Sequence, residues 1–511
     1  MSELNTSLQR LFKGGSVVFV GLVLNYGLSF IGKVAISRYL GKFDYGALAL
    51  GIVLITTIER FALLGVDKGV ARYLPRFETD ERQRGVILSG LTVALSMSIL
   101  FSGVAFLTSP FLAENVFHDS GVELVLKIFS LAAPFAVLSR FSIGVIRGMS
   151  QTTPRVIIKD ISQPIVRVGF ITLSVLLGYG IIAGAIAYAV PYIVATILGG
   201  LYLWKRTPLC RKVRPTFMYR ELLQFSSPLA ITGMMWFIFS DIDTFLLGAS
   251  PHVTTGDIGV YQVVYPLVTL LTTIYTAFGF ITMPVLSGYH SNNELLEMRE
   301  LYRAVSKWIF VGSLPLFLIF FSLSENIIYI SFGEEYMGGT TVLSILSLGF
   351  ATHVAAGPNS PALTTIGKSR LVMYDSAIAA ILNIILNLVL IPQYGLVGAA
   401  IATTVSYACL NILLNSHLYL KINIHPISRA FLTTGIAVIS LFYALKIAFE
   451  EFTPIQGVIP LITFLLLFAT GYSIIVVLFA IEDYELLLLR DIEDKYDISL
   501  YIVRSIAQRG I

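Results

Sequence analysis

Residues Ser29 to Pro75 read SFIGKVAISRYLGKFDYGALALGIVLITTIERFALLGVDKGVARYLP. Two apolar stretches meet at a short glycine-bearing turn, and they carry Lys33, Glu59 and Arg60 within them. A charge near the centre of a membrane-crossing helix costs roughly 2.5 to 3.5 kcal/mol on insertion scales, so an ionisable residue there normally faces a wet cavity or a partner. These three are therefore candidate functional residues. The turn also recurs: Leu40-Gly41 followed by Gly46 reappears as Leu247-Gly248 followed by Gly259-Val260-Tyr261, again between long apolar runs. The stretch reads as part of a duplicated chain.

Working outward, the composition sets the class. Hydrophobic residues make up 56% of the 511 and charged residues only 13%, about half the charged share of a soluble domain. The chain reads as an all-α polytopic membrane protein. The net charge of +4 is spread over loops and sets topology rather than binding nucleic acid. With only Cys210 and Cys409, neither a disulfide framework nor metal-ligand spacing is expected, and the thiols read as bystanders. The first apolar run lacks a small-residue cleavage site and reads as a retained helix.

A crossing needs about 20 mainly apolar residues, and the sequence offers about fourteen: 14–38, 45–66, 86–109, 123–147, 154–178, 180–204, 220–248, 257–285, 303–324, 338–366, 371–392, 395–420, 427–449 and 455–480. Lys68, Arg72, Arg76, Arg82 and Arg84 follow the second, Lys205, Arg206, Arg211, Lys212 and Arg214 the sixth, and Lys421 and Arg429 the twelfth. The loops at 110–122, 249–257, 325–337 and 393–394 contain no Lys or Arg. Because cytoplasmic loops concentrate basic residues, the first set is expected inside the cytoplasmic membrane, the second outside, and both termini inside. The tail IEDYELLLLRDIEDKYDISLYIVRSIAQRGI reads as a helix, either lying amphipathically on the membrane surface or solvated.

Near the end of each set of six, Tyr179-Gly180-Ile181-Ile182-Ala183-Gly184-Ala185-Ile186-Ala187 aligns without a gap on Tyr394-Gly395-Leu396-Val397-Gly398-Ala399-Ala400-Ile401-Ala402. Six is even, so both sets enter from the same side as parallel repeats. The expected organisation is an N-terminal six-helix lobe at 1–210, a C-terminal six-helix lobe at 211–422, two further crossings at 423–481 and a cytoplasmic tail at 482–511. Substrate is expected between the lobes.

The buried charges favour an anion. Arg140 and Arg147 are seven apart in the fourth predicted helix, as are Asp160 and Arg167 in the fifth, so each pair shares a helix face. By depth, Arg147 and Lys159 lie near the cytoplasmic end, Arg60 and Arg140 in the inner third, Arg167 near the middle and Lys33 in the outer half. Guanidinium groups bind phosphate oxygens through paired donors and Lys acts as a compact charge, so Lys33, Arg60, Arg140 and Arg167 are the candidate substrate-binding cations. Local pairing is the alternative, with Glu59 and Asp160 neutralising two of them. Asp241 and Asp243, two residues apart, do not share a face; one of them either binds a coupling proton or sodium ion or pairs with Lys33 as an outer gate. Glu59 and Asp160 are the other candidate coupling or gate residues.

Other features read as structural. Pro164 has no amide for the Asp160 carbonyl, so a bend is expected beside that charged stripe, and Pro228, Pro266, Pro315, Pro358 and Pro361 are candidate interruptions. His353, Asn383 with Asn387, and Asn411 with Asn415 read as packing and interhelical hydrogen-bond residues. Ile366-Gly367-Lys368-Ser369 is a decoy for a phosphate-binding loop: the pattern needs glycine where Ala362 stands, and no nucleotide is expected.

The Tyr39-Leu40-Gly41 to Tyr45-Gly46 turn, the Phe239-Ser240-Asp241-Ile242-Asp243 to Leu247-Gly248 run, Gly259-Val260-Tyr261 and the two Tyr-Gly segments resemble the polysaccharide-biosynthesis flippases of the multidrug, oligosaccharidyl-lipid and polysaccharide exporter superfamily. The resemblance covers nearly the whole chain. It implies a V-shaped pair of lobes that opens alternately to each face and carries a polyprenyl-linked sugar headgroup outward. Implied partners are a lipid-linked oligosaccharide, membrane lipids and glycan-assembly enzymes, with no cofactor, catalytic residue, metal or nucleic acid. A proton- or sodium-coupled drug or cation exporter is the rival, but its substrate favours an acidic cavity. A membrane glycosyltransferase or polymerase needs carboxylates or histidines in a substantial external loop, which the short ones here do not offer. A non-transporting envelope scaffold leaves the buried cations unexplained.

Overall fold

The computed structural model describes residues 2–482; the tail helix expected beyond Glu482 lies outside the described residues. Among the described residues the chain is helical, with no strand. The first half comprises α1 (Ser2–Leu63), α2 (Val66–Tyr73), α3 (Asp80–Phe111), α4 (Val122–Gly148), α5 (Thr152–Arg155), α6 (Gln163–Leu177) and α7 (Gly180–Arg206). It continues through α8 (Tyr219–Ala249), α9 (Thr255–Thr269), α10 (Thr272–Ser291), α11 (Leu295–Ser322) and α12 (Ser324–Phe332). The last elements are α13 (Thr340–Ala355), α14 (Asn359–Thr365), α15 (Ser369–Ile422), α16 (Arg429–Phe452) and α17 (Val458–Ile475).

Ten helices among the described residues are long and apolar enough to cross a membrane, eleven if α9 and α10, bent by 43° at their junction, form one. The protein is thus a multi-pass membrane protein. The count is lower than fourteen partly because two of the ten run through an internal break and each spans two of the expected crossings. The 54 residues of α15 run about 81 Å at 1.5 Å each, against a hydrocarbon core of roughly 30 Å. It breaks at Gly395 (φ 54°, ψ −127°), as α1 breaks at Gly41 (φ 75°, ψ 172°). Both glycines take a left-handed φ that a side chain would strain. Gly180, aligned with Gly395 in the repeat, has the matching φ of 58°.

Proline acts unevenly. Pro228 and Pro315 lie inside the continuous helices α8 and α11, whereas Pro358, after Gly357 at φ 69°, separates α13 from α14. Ahead of Pro164 the backbone widens into a π-helix over Val156–Ser162, which contains Asp160; such segments mark strain and often function.

The contacts divide the chain into two compact units, one of 1–263 with 391–396 and one of 264–390 with 397–511. In the first, α8 packs on α1, α2 and α3, and α4 is the central helix, packed against α1, α3 and α7. Lipid tails are as apolar as a leucine side chain, so close packing rather than transfer from water holds membrane helices together. Accordingly α4 buries Ser130, Ala132, Ala133, Ala136, Ser139, Ser142, Gly144 and Gly148. The recurring turn glycines meet: a Cβ on Gly46 would lie 1.8 Å from the Thr255 carbonyl oxygen, and one on Gly259 would lie 2.1 Å from that of Lys42. In the second unit, Phe442, Phe464 and Phe468 join Leu314 and Leu318 in a core between α11, α16 and α17.

Candidate functional site

All eight candidate residues lie in the first unit, most of them in pairwise contacts with partners on other helices. Glu59 and Arg60, adjacent in α1, take partners on different helices. Arg140 of α4 donates through Nη1 to Glu59 Oε1 at 2.6 Å, with 11% of the Glu59 side chain and 50% of the Arg140 side chain exposed. Arg60 Nη2 lies 3.1 Å from Asp241 Oδ2 of α8, and its Nη1 donates to Ser240 Oγ at 3.1 Å. Tyr192 of α7 is within electrostatic reach of Glu59, Arg140 and Arg167. Arg167 of α6 stands 4.9 Å from the Tyr188 ring centroid, its buried Nε without a hydrogen-bond partner.

Lys33 neighbours Arg167, and its Nζ donates to the Gln262 carbonyl at 3.2 Å. That acceptor exists because Pro266, four residues on, has no amide to offer it. The pairing of Lys33 with a helix-borne aspartate, expected as one alternative, does not form here: Asp241 pairs with Arg60, and Asp243 accepts from Tyr261 Oη at 2.7 Å. Asp241 and Asp243 differ as their spacing requires, Asp241 partly exposed and Asp243 buried. Asp160 is buried; Asn25 Nδ2 lies 3.5 Å from its Oδ1, and its Oδ2 has no partner. Arg147 and Lys159 lie within electrostatic reach of it, and Arg140 and Arg155 within reach of those two.

Sequence reasoning missed Asn25, Phe237, Ser240, Tyr188 and Gln262. Asn25 offered a signal, four residues before Ser29 in an apolar run, and Ser29 Oγ donates to its Oδ1 at 3.2 Å. In the second unit, His353 meets Asn411 Oδ1 at 3.1 Å and packs on Tyr275 and Tyr407. Asn383 donates to Thr403 Oγ1 at 3.3 Å, and Asn387 donates to Asn383. These residues have the packing and hydrogen-bonding roles expected of them. Asp375 and His417, both of α15, face each other at 2.8 Å.

The chain is a multi-pass helical membrane protein that holds charges in its apolar helices. The polysaccharide biosynthesis protein family model matches residues 11–290, and the chain belongs to that family. It is 24% identical over 414 residues to a probable low-salt glycan biosynthesis flippase, Agl15, of Haloferax volcanii, covering 78% of this chain and 81% of that protein. It is 21% identical over 442 residues to the lipid II flippase MurJ of Bacillus subtilis, covering 78% and 80%. A solved structure of lipid II flippase MurJ in an inward closed conformation superposes with a TM-score of 0.70 at 16% identity, over 91% of this chain and 98% of that one. The expected resemblance to polysaccharide-biosynthesis proteins is borne out.

Proposed function

We propose that this protein flips a polyprenyl phosphate- or diphosphate-linked oligosaccharide outward across the cytoplasmic membrane, by alternating access, for cell-surface glycan or glycoprotein assembly. The observation that carries the reading is the cluster of Lys33, Arg60, Arg140 and Arg167 in apolar helices of one unit, where Lys33 meets a backbone carbonyl and Arg167 an aromatic ring and Arg140 stays half exposed although paired. A phosphate linker is the chemistry such guanidinium groups take. An exporter of cations has no use for that sign of charge.

The topology that goes with this reading has fourteen crossings. Splitting α1 and α15 at their glycines, joining α5 with α6, α9 with α10 and α13 with α14, and adding α3, α4, α7, α8, α11, α16 and α17 accommodates them. Both termini are then cytoplasmic, with six-helix lobes at 1–210 and 211–422, two crossings at 423–481 and a tail at 482–511. Glycan-assembly enzymes are the fitting partners. Outward movement of an anion from an inside-negative cell releases about 2.3 kcal/mol per charge per 100 mV, so nucleotide hydrolysis is not required. The test is to extract lipid-linked intermediates from a deletion strain and probe their sidedness with an impermeant glycan-modifying enzyme. Accumulation confined to the inner face supports the reading; an unchanged distribution overturns it.

A further inference from the structure

Arg60 is held by three side chains on one face of α8. Besides the contacts to Ser240 and Asp241, its guanidinium stands 5.6 Å from the Phe237 ring centroid. Positions 237, 240 and 241 have the i, i+3, i+4 spacing of one helix face. Ser240 Oγ also donates to Asp241 Oδ2 and so fixes the carboxylate toward Arg60. On the neighbouring residue, Glu59 holds Arg140 of α4. Successive residues point about 100° apart on a helix, so the Glu59-Arg60 dipeptide ties α1 to α4 in one direction and to α8 in the other. Two guanidinium groups are therefore already engaged by carboxylates, yet both remain reachable, with 27% of the Arg60 and 50% of the Arg140 side chain exposed.

We propose that Asp241 is an internal stand-in for the substrate's phosphate, occupying Arg60 in the unloaded protein and displaced by phosphate on loading, which releases the charged tie between α1 and α8. This rests on the phosphate reading above. Each phosphate of a lipid- and sugar-substituted diphosphate carries one charge, as the carboxylate does, but presents two non-bridging acceptor oxygens to the guanidinium fork in place of the single carboxylate oxygen it replaces. Arg140 and Arg60 both lie within electrostatic reach of Glu59, so a ligand bearing two linked phosphates can engage the half-exposed Arg140 as well as Arg60, and the pair selects diphosphate over isolated phosphate. Asp241 is thus a positioning and selectivity residue, and α8 is the element it releases.

The test uses the full-length protein in lipid nanodiscs, titrated calorimetrically with inorganic pyrophosphate and with inorganic phosphate at one ionic strength. Wild type is expected to prefer pyrophosphate. Asp241→Asn removes the competing charge and should bind pyrophosphate about tenfold tighter, equivalent to 1.4 kcal/mol, with a narrowed preference over phosphate and slower glycan export. Asp241→Glu keeps the charge and should stay near wild type; loss of affinity there, alongside tightening in Asp241→Asn, is also consistent only with a competing carboxylate. Pyrophosphate binding by neither wild type nor Asp241→Asn overturns the phosphate reading and this proposal with it. Binding by wild type with equal or weaker binding by Asp241→Asn overturns the stand-in alone. Should Asp241→Asn not fold, Ser240→Ala, which frees one arm of the Arg60 fork, must tighten pyrophosphate binding about threefold, and an unchanged affinity there counts against the proposal.

Discussion

Separate removal of each member of the Glu59–Arg140 pair should have unequal consequences for export although the pair is reciprocal in stability. Arg140→Ala leaves a carboxylate that is 11% exposed without its 2.6 Å partner. Breaking a fully buried pair costs about 3–5 kcal/mol, whereas exposed pairs are worth about 1 kcal/mol or less. With Arg140 half exposed, each single change should cost roughly 2 kcal/mol between those limits. Glu59→Gln with Arg140→Ala together should then cost about 1 kcal/mol less than the sum of the singles, a coupling within the range for residues in contact. The assay is chemical denaturation of the purified protein in mixed micelles, comparing midpoints at constant slope, alongside the rate at which glycan-lipid appears outside. Export should fall steeply in Arg140→Ala and in the double variant, since the phosphate ligand is gone, but persist in Glu59→Gln, which only frees it. Equal export losses that track the stability losses would show the pair to be a structural brace, and additivity within 0.5 kcal/mol would refute the pairing argument itself.

Three further outcomes follow from the geometry. Arg167→Ala should abolish most export at normal protein abundance while Arg167→Lys restores part of it, because lysine keeps the charge without the planar fork that lies over Tyr188; full export by Arg167→Ala would remove it from the substrate path. Gly259→Ala places a Cβ 2.1 Å from a backbone oxygen and should lower stability by about 3 kcal/mol, whereas Gly103→Ala, with nothing within 4 Å, should be neutral in the same denaturation series. A single cysteine at exposed Asn115 should react with an impermeant maleimide in intact cells, and one at Lys212 only after lysis; the reverse pattern inverts the topology.

Hydropathy revealed the helices because a crossing must be apolar along its whole length, so the signal is spread over some 20 residues. Their breaks were legible only where glycine or proline marks them. Gly41 and Gly395 interrupt single long helices, but Pro228 and Pro315 do not bend theirs into separate elements: a proline removes one hydrogen bond, and packing decides whether the helix yields. The π-helix at Val156–Ser162 had only Pro164 to announce it.

The charged site divides along the same line. That Lys33, Glu59, Arg60, Arg140, Asp160, Arg167 and Asp241 would need partners was legible residue by residue, because each is costly in hydrocarbon whatever its neighbours are. Who meets whom was not, since partners on different helices are separated by 81 residues for Glu59 and Arg140 and by 180 for Arg60 and Ser240, and no local spacing encodes such a pairing. Depth was a poor substitute: it put Lys33 opposite the aspartates of α8, whereas the lysine takes the Gln262 carbonyl. That contact was nonetheless derivable, because Pro266 leaves the carbonyl four residues before it without its helical donor, and an acceptor so placed in an apolar helix must find a donor from elsewhere. Read in that way, a proline in a membrane helix indicates where a cation from another helix can be satisfied, and Lys33 is the residue that answers it.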